Sequence, residues 1–460
     1  MRQLTIENIA LACGGKLYLP KDYKEDGKEA EGIYIDSRLV GKGDIFIATK
    51  GERVDGHSFI DAVFEKGALG VICQDMPENP KGPCIQVEDS FRALTAIATY
   101  YRECLGDKIK IIGITGSVGK TSTKEFIATV LEEKYSVLKT QGNYNNEIGV
   151  PLTILRIRDE HQIAVVEMGI NHFGEMSRLT HVVKPNLVVM TNIGDCHLEN
   201  LGDRDGVLKA KSEIFECLDK DGQVFINKDD DKLKALDTVN GKKTISYGIW
   251  NKEADYRADE IEADSLEGSK AKILYDNKAI PVCVHIPGEH MLLKAVVATA
   301  IGKYFNLSDE EIAAGIDRCR PTAGRNNIIK ENGYTIIDDC YNANPTSVGA
   351  AVKMLSGAST RKVAILGDMY ELGDDNDKLH FDTGKNVKDS GIDLIICIGD
   401  YSKNTYEGAE GMERLHFDTV DEFIEKAKSD SIIRTGDAIL VKASHAMHFD
   451  KIVEWLKEGK

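Results

Sequence analysis

The stretch Lys110–Leu131, KIIGITGSVGKTSTKEFIATVL, constrains this chain more than any other. An apolar run ends in a turn carrying Gly116 and Gly119, and Gly-Lys-Thr then opens a helical pattern. A glycine-rich turn between a buried strand and a helix aims successive backbone N–H groups and the positive end of the helix dipole at one point, where a phosphate chain can sit. Lys120 adds a charge for the outer phosphates, and the Thr121 hydroxyl is a ligand for Mg²⁺. The usual G-x-x-x-x-G-K-[ST] count puts glycine at 114, where Ile114 stands; the nearest glycines are Gly113 and Gly116. A chance Gly-Lys-Thr in an ordinary turn is the plain alternative. The order strand, loop, Gly-Lys-Thr, helix weighs against it, and the loop reads as a nucleoside triphosphate site in a parallel α/β sheet.

Phosphoryl transfer also needs metal ligands. AVVEMGINHFGEM places Glu167 and Met168 at the end of an apolar run, where open α/β sheets hold ligands. A carboxylate there is costly unless a partner or a metal offsets it. VVMTNIGDCHLENLG puts Thr191, Asn192, Asp195 and His197 after the next strand. Alone, His197 is an ordinary surface-loop histidine; at the same sheet edge as Glu167 and Lys120 it is a candidate ligand for a second metal. KAKSEIF then opens a helix with Lys209 and Lys211, which by themselves are two solvated lysines.

At 460 residues the chain is too long for one core. The strand–helix rhythm predicts three consecutive α/β domains: residues 1–106; 107–318, a P-loop ATPase domain on a mostly parallel sheet; and 319–460, Rossmann-like. Within the second, closely spaced short strands over 243–287 predict an antiparallel layer. The formal net charge of −17 argues against a nucleic-acid partner. No apolar run approaches the roughly 20 residues that span a bilayer. The first residues, MRQLTIENIALACGG, carry Glu7 and lack the apolar centre of a signal peptide. Ten scattered cysteines without a C-x-x-C pair read as buried thiols in a reducing cytoplasm. Nothing calls for more than a monomer.

GITGSVGKTSTK, GNYNNEIGVPLTIL, VVEMGINHFGEM, TNIGDCHLENLG and KAKSEIF together resemble the Mur ligase family, whose loop reads T-G-[ST]-x-G-K-[ST] and so accounts for the spacing. The C-terminal GRNNIIKENGYTIIDDCYNANPTSV and KVAILGDMYELGDDNDKLHFDTG look like the branch acting on UDP-N-acetylmuramoyl-tripeptide and D-alanyl-D-alanine. The amino-terminal IDSRLVGKGDIFIATKGERVDGHSFIDAVFEKGALGVI is similar to that branch's uridine-nucleotide domain. The likeness covers nearly the whole chain.

The resemblance implies an ATP-dependent amide ligase. The tripeptide carboxylate attacks the γ-phosphate to give an acyl phosphate; the dipeptide amine attacks that carbonyl, and phosphate leaves from a tetrahedral intermediate. It implies ATP contacts at Gly116, Ser117, Val118, Gly119, Lys120, Thr121 and Ser122. Two Mg²⁺ ions follow, one on Thr121, the other on Glu167 and His197. Lys211 stands where the family often carries a carbamoylated lysine, a further ligand for the second metal; Lys120, Glu167, His197 and Lys211 form the implied catalytic set. Arg325 is implied to reach a nucleotide phosphate, Asp339 and Asn342 the ribose, and Tyr341 the adenine. Asn143, Asn145, Asn146 and Ser444 are implied substrate contacts. Ser37, Arg38, Asp55 and His57 are implied for the UDP-sugar end, although such residues are common in ordinary turns.

Two departures stand out. Met291 and Lys294 occupy positions where the family commonly has asparagines, which puts in doubt the adenine contacts drawn from that helix and the part played by His290. Ser444 and His445 stand where the pattern more often reads G-S-R. Other readings remain: the ligase adding the third amino acid, whose D-N-P-R motif is absent; a folate polyglutamate ligase, which the uridine-type stretch disfavours; and a nucleotide switch protein, which needs no carboxylate, histidine and lysine set.

Overall fold

The structure is a computed structural model that describes all residues except 22, 24–26, 52–53, 265 and 460. Among the described residues three large sheets follow one another along the chain, each with helices packed against it, and a two-stranded ribbon, Thr238–Val239 with Lys242–Lys243, lies in the stretch that builds the second.

The first sheet has five strands, parallel except for the edge strand Lys16–Tyr18, which pairs antiparallel with Cys84–Gln86. Its closing helix, Ser90–Leu105, begins where the Asp89 side chain accepts from the N–H groups of Phe91 and Arg92. Buried Ala93, Leu94, Ile97, Ala98, Tyr101 and Leu105 recur at helical spacing. That face seals the first unit onto the second. Tyr101 donates to the Ile157 carbonyl at 2.7 Å, and Arg102 donates to Val183 at 2.9 Å and Lys184 at 3.1 Å. One apolar cluster runs from Leu4 and Ile97 through to Val188 and Ile226, with no break between the units.

The second sheet has nine strands. Lys110–Thr115 lies in its interior between Ile163–Glu167 and Leu187–Met190, all parallel. Both faces of such strands are covered, which is why these runs are almost continuously apolar. Register places Ile114 opposite Glu167 and Thr115 opposite Met190, so the three strands release their chains at one edge. The region 243–287 differs in part from expectation. Ile245–Gly248 pairs parallel with Gln223–Asn227, and Tyr256–Asp264 continues parallel beside it. Only Tyr256–Asp264, Gly268–Tyr275 and Lys278–Val284 run antiparallel to one another, and they extend the same sheet instead of forming a separate layer. The helix His290–Tyr304 is buried around most of its circumference, against the loop helix Lys120–Leu131 and the sheet.

The third sheet has six strands, parallel except for the antiparallel edge strand Asn327–Glu331. Its helix Pro345–Ser356 starts with a reciprocal cap between Asn344 and Ser347, with proline in the first turn where no N–H is needed. Among the described residues no helix is long and apolar enough to cross a membrane.

Candidate active site

A cleft of about 1510 Å³ opens where the three units meet. That exceeds the roughly 300–1,000 Å³ of an ordinary small-molecule pocket, leaving room for more than one substrate. Its walls include Phe91, Arg92 and Thr95 of the first unit, the phosphate loop of the second, and Arg325, Tyr341 and Thr346 of the third.

The loop is fixed by the strand end beside it. Asn192 takes the Ser117 N–H on its backbone carbonyl at 3.0 Å and the Val118 N–H on its side-chain oxygen at 2.9 Å. The Val118 carbonyl accepts from Thr191 Oγ1 at 2.8 Å and from Asn192 Nδ2 at 3.1 Å. Gly116 has φ +147°, and a Cβ there would fall 1.9 Å from Thr191 Oγ1; only glycine fits. Gly119, at φ +79°, caps the loop helix without a side-chain hydrogen bond, so the first-turn N–H groups stay free for an anion. Lys120 folds back, donating to the carbonyls of Gly116 at 2.7 Å and Ser117 at 3.3 Å. Burial pulls its pKa below the usual lysine value, opposed by the charge of Glu167.

Thr121 Oγ1 donates to Glu167 Oε2 at 2.9 Å, and Asn145 Nδ2 donates to Oε1 at 2.7 Å. The Glu167 N–H donates to Thr140 Oγ1 at 3.0 Å, fixing the residue where its strand ends. Thr121 and Glu167 are buried, so a charge here needs company. His197 has left-handed backbone at φ +52°, and its Nδ1 lies 2.6 Å from Glu371 Oε2 of the third unit, outside hydrogen-bonding alignment. Lys211 is buried close enough to Lys120 to feel its charge, without a hydrogen bond or ion pair among the described residues; burial brings its pKa down to about 8.

Across the cleft, the Arg325 guanidinium lies over the Tyr341 ring at 4.0 Å, and Tyr341 packs against His445 with ring centroids 5.3 Å apart. Asp339 pairs with the buried Lys442 ammonium at 2.6 Å and accepts the Asn326 N–H at 3.2 Å. Asn342 gives its backbone carbonyl to Lys442 at 2.8 Å. Asn326 Nδ2 is 2.8 Å from His290 Nε2, joining the helix His290–Tyr304 to the third unit. Burial, then the nearby lysines, push the His290 pKa down to about 3, so its ring is neutral and accepts.

Ser117, Val118, Gly119, Lys120, Thr121, Ser122, Asn143, Asn145, Asn146, Glu167, His197, Arg325, Asp339, Tyr341 and Asn342 all line this one cleft. Gly116 and Lys211 are buried outside that lining. Ser37, Arg38, Asp55, His57 and Ser444 lie elsewhere. Arg38 is exposed and tied to Asp36 at 2.7 Å. His57 Nδ1 meets Asp55 at 2.6 Å, while Nε2 accepts the N–H groups of Gln74 at 3.0 Å and Asp75 at 3.2 Å, so the ring clamps a turn. Ser444 Oγ accepts the Tyr370 N–H at 2.9 Å. Glu371, Lys442 and Lys294 also line the cleft, beyond the residues expected from the sequence. Glu371 lies inside GDMYELGD, and Lys442 stands two residues before Ser444 in KASHAMHFDKIV, but neither type nor spacing singles them out; Lys294 stands out only as a departure from the family pattern.

Residues 114–302 match the family model for the Mur ligase middle domain, 324–445 that for the Mur ligase glutamate ligase domain, and 29–102 that for the Mur ligase catalytic domain. The UDP-N-acetylmuramoyl-tripeptide–D-alanyl-D-alanine ligase of Bacillus subtilis is 36% identical over 470 aligned residues, covering 100% of this chain and 99% of the relative. The ligase of the same name from Escherichia coli is 31% identical, covering 93% of this chain and 94% of the relative. MurF from Acinetobacter baumannii superposes with a TM-score of 0.89 at 31% identity, covering 99% of this chain and 98% of that one. MurF ligase from Thermotoga maritima, solved in complex with ADP, gives 0.81 at 26% identity, covering 95% and 99%. With full-length relatives above 30% identity and a phosphate loop, buried carboxylate and facing arginine in one cleft, the chain belongs to the Mur ligase family.

Proposed function

We propose that this chain is an ATP-dependent ligase joining D-alanyl-D-alanine to UDP-N-acetylmuramoyl-tripeptide, a step in building the peptidoglycan precursor. The observation that carries the reading is the Thr121–Glu167 pair set against the Lys120 loop, in a cleft whose opposite wall is Arg325 and Tyr341. Full-length identity to ligases of that name supports the choice of substrates.

A carboxylate is a poor electrophile and the γ-phosphate is an anion, so the two must be held together against their repulsion. The loop N–H groups and Lys120 take the phosphate chain, and Arg325 adds a planar charge from the facing unit. The tripeptide carboxylate oxygen forms a bond to the γ-phosphorus as the bond to ADP breaks. The dipeptide amine then adds to the acyl carbon, gives up a proton, and expels phosphate. Asn143, Asn145 and Asn146 stand between loop and strand end, where they would orient the acyl donor. Ser37, Arg38 and Asp55 would hold the uridine end, with His57 shaping their surroundings by clamping its turn, and Asp339, Asn342 and Tyr341 the nucleoside.

Thr121, Glu167 and His197 are the residues that would hold two Mg²⁺ ions. Thr121 and Glu167 are buried oxygen donors, which suit that hard cation, His197 offers a ring nitrogen, and the acidic side chains Glu167 and Glu371 supply the negative charge it requires. When bound, magnesium supplies charge neutralisation on the phosphate oxygens. Lys211, with its pKa near 8, would carry a carbamate from dissolved carbon dioxide, turning a cation into an anion within reach of the Lys120 charge. Intact-mass spectra with and without bicarbonate test this.

The enzyme would act as a monomer in the cytoplasm, with units bounded near residues 106 and 318. The deciding experiment is phosphate release from ATP with UDP-N-acetylmuramoyl-tripeptide, with and without D-alanyl-D-alanine. The dipeptide should be required. Release driven equally by a free amino acid would remove this substrate assignment.

A further inference from the structure

Lys294 projects from the helix His290–Tyr304 into the cleft against the phosphate loop. A Cβ placed on Gly119 would lie 2.6 Å from Lys294 Nζ, so the ammonium rests on the flank of the loop itself. The residue is 5% exposed, yet it makes no hydrogen bond or ion pair among the described residues. The other cations lining the cleft are engaged otherwise. Lys120 bonds the Gly116 and Ser117 carbonyls, Lys442 pairs with Asp339, and Arg325 covers Tyr341.

A buried charge without a partner is a standing cost to the fold, and burial alone draws the Lys294 pKa down to about 8. His290, four residues earlier on the same helix, cannot offset it, because its ring is neutral. An ammonium has three donors and no acceptor, so the partner it lacks is an anion. The place of the charge, beside the first turn of the loop helix, is where a polyphosphate comes closest to the protein.

We infer that Lys294 is a second phosphate-binding lysine, which joins Lys120 on the polyphosphate of the bound nucleotide from the flank of Gly119. This rests on the proposed reading that the loop binds ATP. It assigns Lys294 to the phosphates and not to the base. It also gives Gly119 two reasons to lack a side chain: its positive φ and the space that the ammonium fills.

The test is equilibrium binding to the full chain, wild type against Lys294→Met and Lys294→Asn, by calorimetry in the presence of Mg²⁺. Methionine keeps the length of the side chain in an apolar helix environment, and asparagine keeps polarity without charge. ATP, ADP and inorganic tripolyphosphate should each bind about tenfold or more weakly to both variants, the loss expected for a hydrogen bond to a charged group. Adenosine, measured by competition, and UDP-N-acetylmuramoyl-tripeptide should bind as before. In the absence of nucleotide, the Lys294→Met variant should melt above the wild type, because the unpaired charge is gone. Unchanged ADP and tripolyphosphate affinity overturns the inference. So does an adenosine loss equal to that of ADP, which would place the ammonium on the base, or a loss confined to the uridine substrate. None of these readouts needs turnover, so they stand apart from the acceptor-dependence assay that tests the ligase itself.

Discussion

Glu371 Oε2 lies 2.6 Å from His197 Nδ1, and through that pair the third unit touches the end of the central sheet where Glu167 meets Thr121 of the loop helix. The Glu371 carboxyl is held below the usual carboxylate range, first by the His197 side chain. Its depressed pKa means the contact is present above the ordinary value of 4.5 and is lost as pH falls through the lower folded-state value. Glu371→Gln should therefore lower kcat/KM about tenfold at neutral pH. The melting temperature should move by less than about 2 °C, since half-exposed pairs contribute little to stability. An unchanged kcat/KM would make the contact incidental.

Lys120→Ala should reduce kcat by at least about a thousandfold, in line with loss of a charge aimed at the transferring phosphoryl group. Circular dichroism and the unfolding midpoint should be those of the wild type, because the ammonium bonds only to loop carbonyls.

Thr121→Val removes the donor to Glu167 Oε2 while preserving shape. A buried carboxylate oxygen left without its partner should cost about 1–3 kcal/mol, read by denaturant unfolding without metal. The variant should also need a higher Mg²⁺ concentration for half-maximal phosphate release. Treatment of the wild type with EDTA should abolish that release, and added Mg²⁺ should restore it.

The stability gap between Lys294→Met and wild type should depend on pH with a fixed sign. The Lys294 pKa falls from 10.5 to about 8 on folding, so the charged form is penalised in the native state. Below about pH 8 both states hold the proton and the full penalty, on the order of 3 kcal/mol, is present. Between about 8 and 10.5 the unfolded chain binds more protons, and the wild type gains stability relative to the variant. Urea unfolding at pH 7 and pH 9.5 checks this; a gap that stays constant or widens refutes the assignment of an unpaired buried ammonium.

Arg325→Ala should weaken ATP and ADP binding about tenfold and leave the affinity for the uridine substrate unchanged, as measured by calorimetry. Its guanidinium is anchored on Tyr341, so Tyr341→Leu should cause part of the same loss.

Local sequence carried the phosphate site because a short contiguous stretch builds it. Strand, glycines, lysine and threonine succeed one another between Lys110 and Thr121, and Glu167 and Asn192 close their own apolar runs. Residues that meet only through tertiary packing were harder to see. Lys442 ends a strand more than a hundred residues from Asp339, and the sheet order that brings Ala438–Lys442 beside Tyr334–Asp338 is not written in either segment. His57 illustrates the converse. Its turn was legible, but both ring nitrogens are spent on the fold, which no spacing reveals. The antiparallel strands within 243–287 were visible from the close spacing of short strands, whereas their continuity with the parallel sheet is set by pairing with strands outside that stretch.

The manner in which the units are joined has a kinetic consequence. The first and second share one unbroken apolar cluster and the Tyr101 and Arg102 bonds, whereas the third meets the second through polar pairs such as His197–Glu371 and His290–Asn326. A compound shaped to the seam of the first two units meets a pre-built wall and should associate at a rate limited by encounter. One that also grips the third unit must fit around those polar pairs, and its off-rate should rise with salt concentration while that of the seam compound stays put.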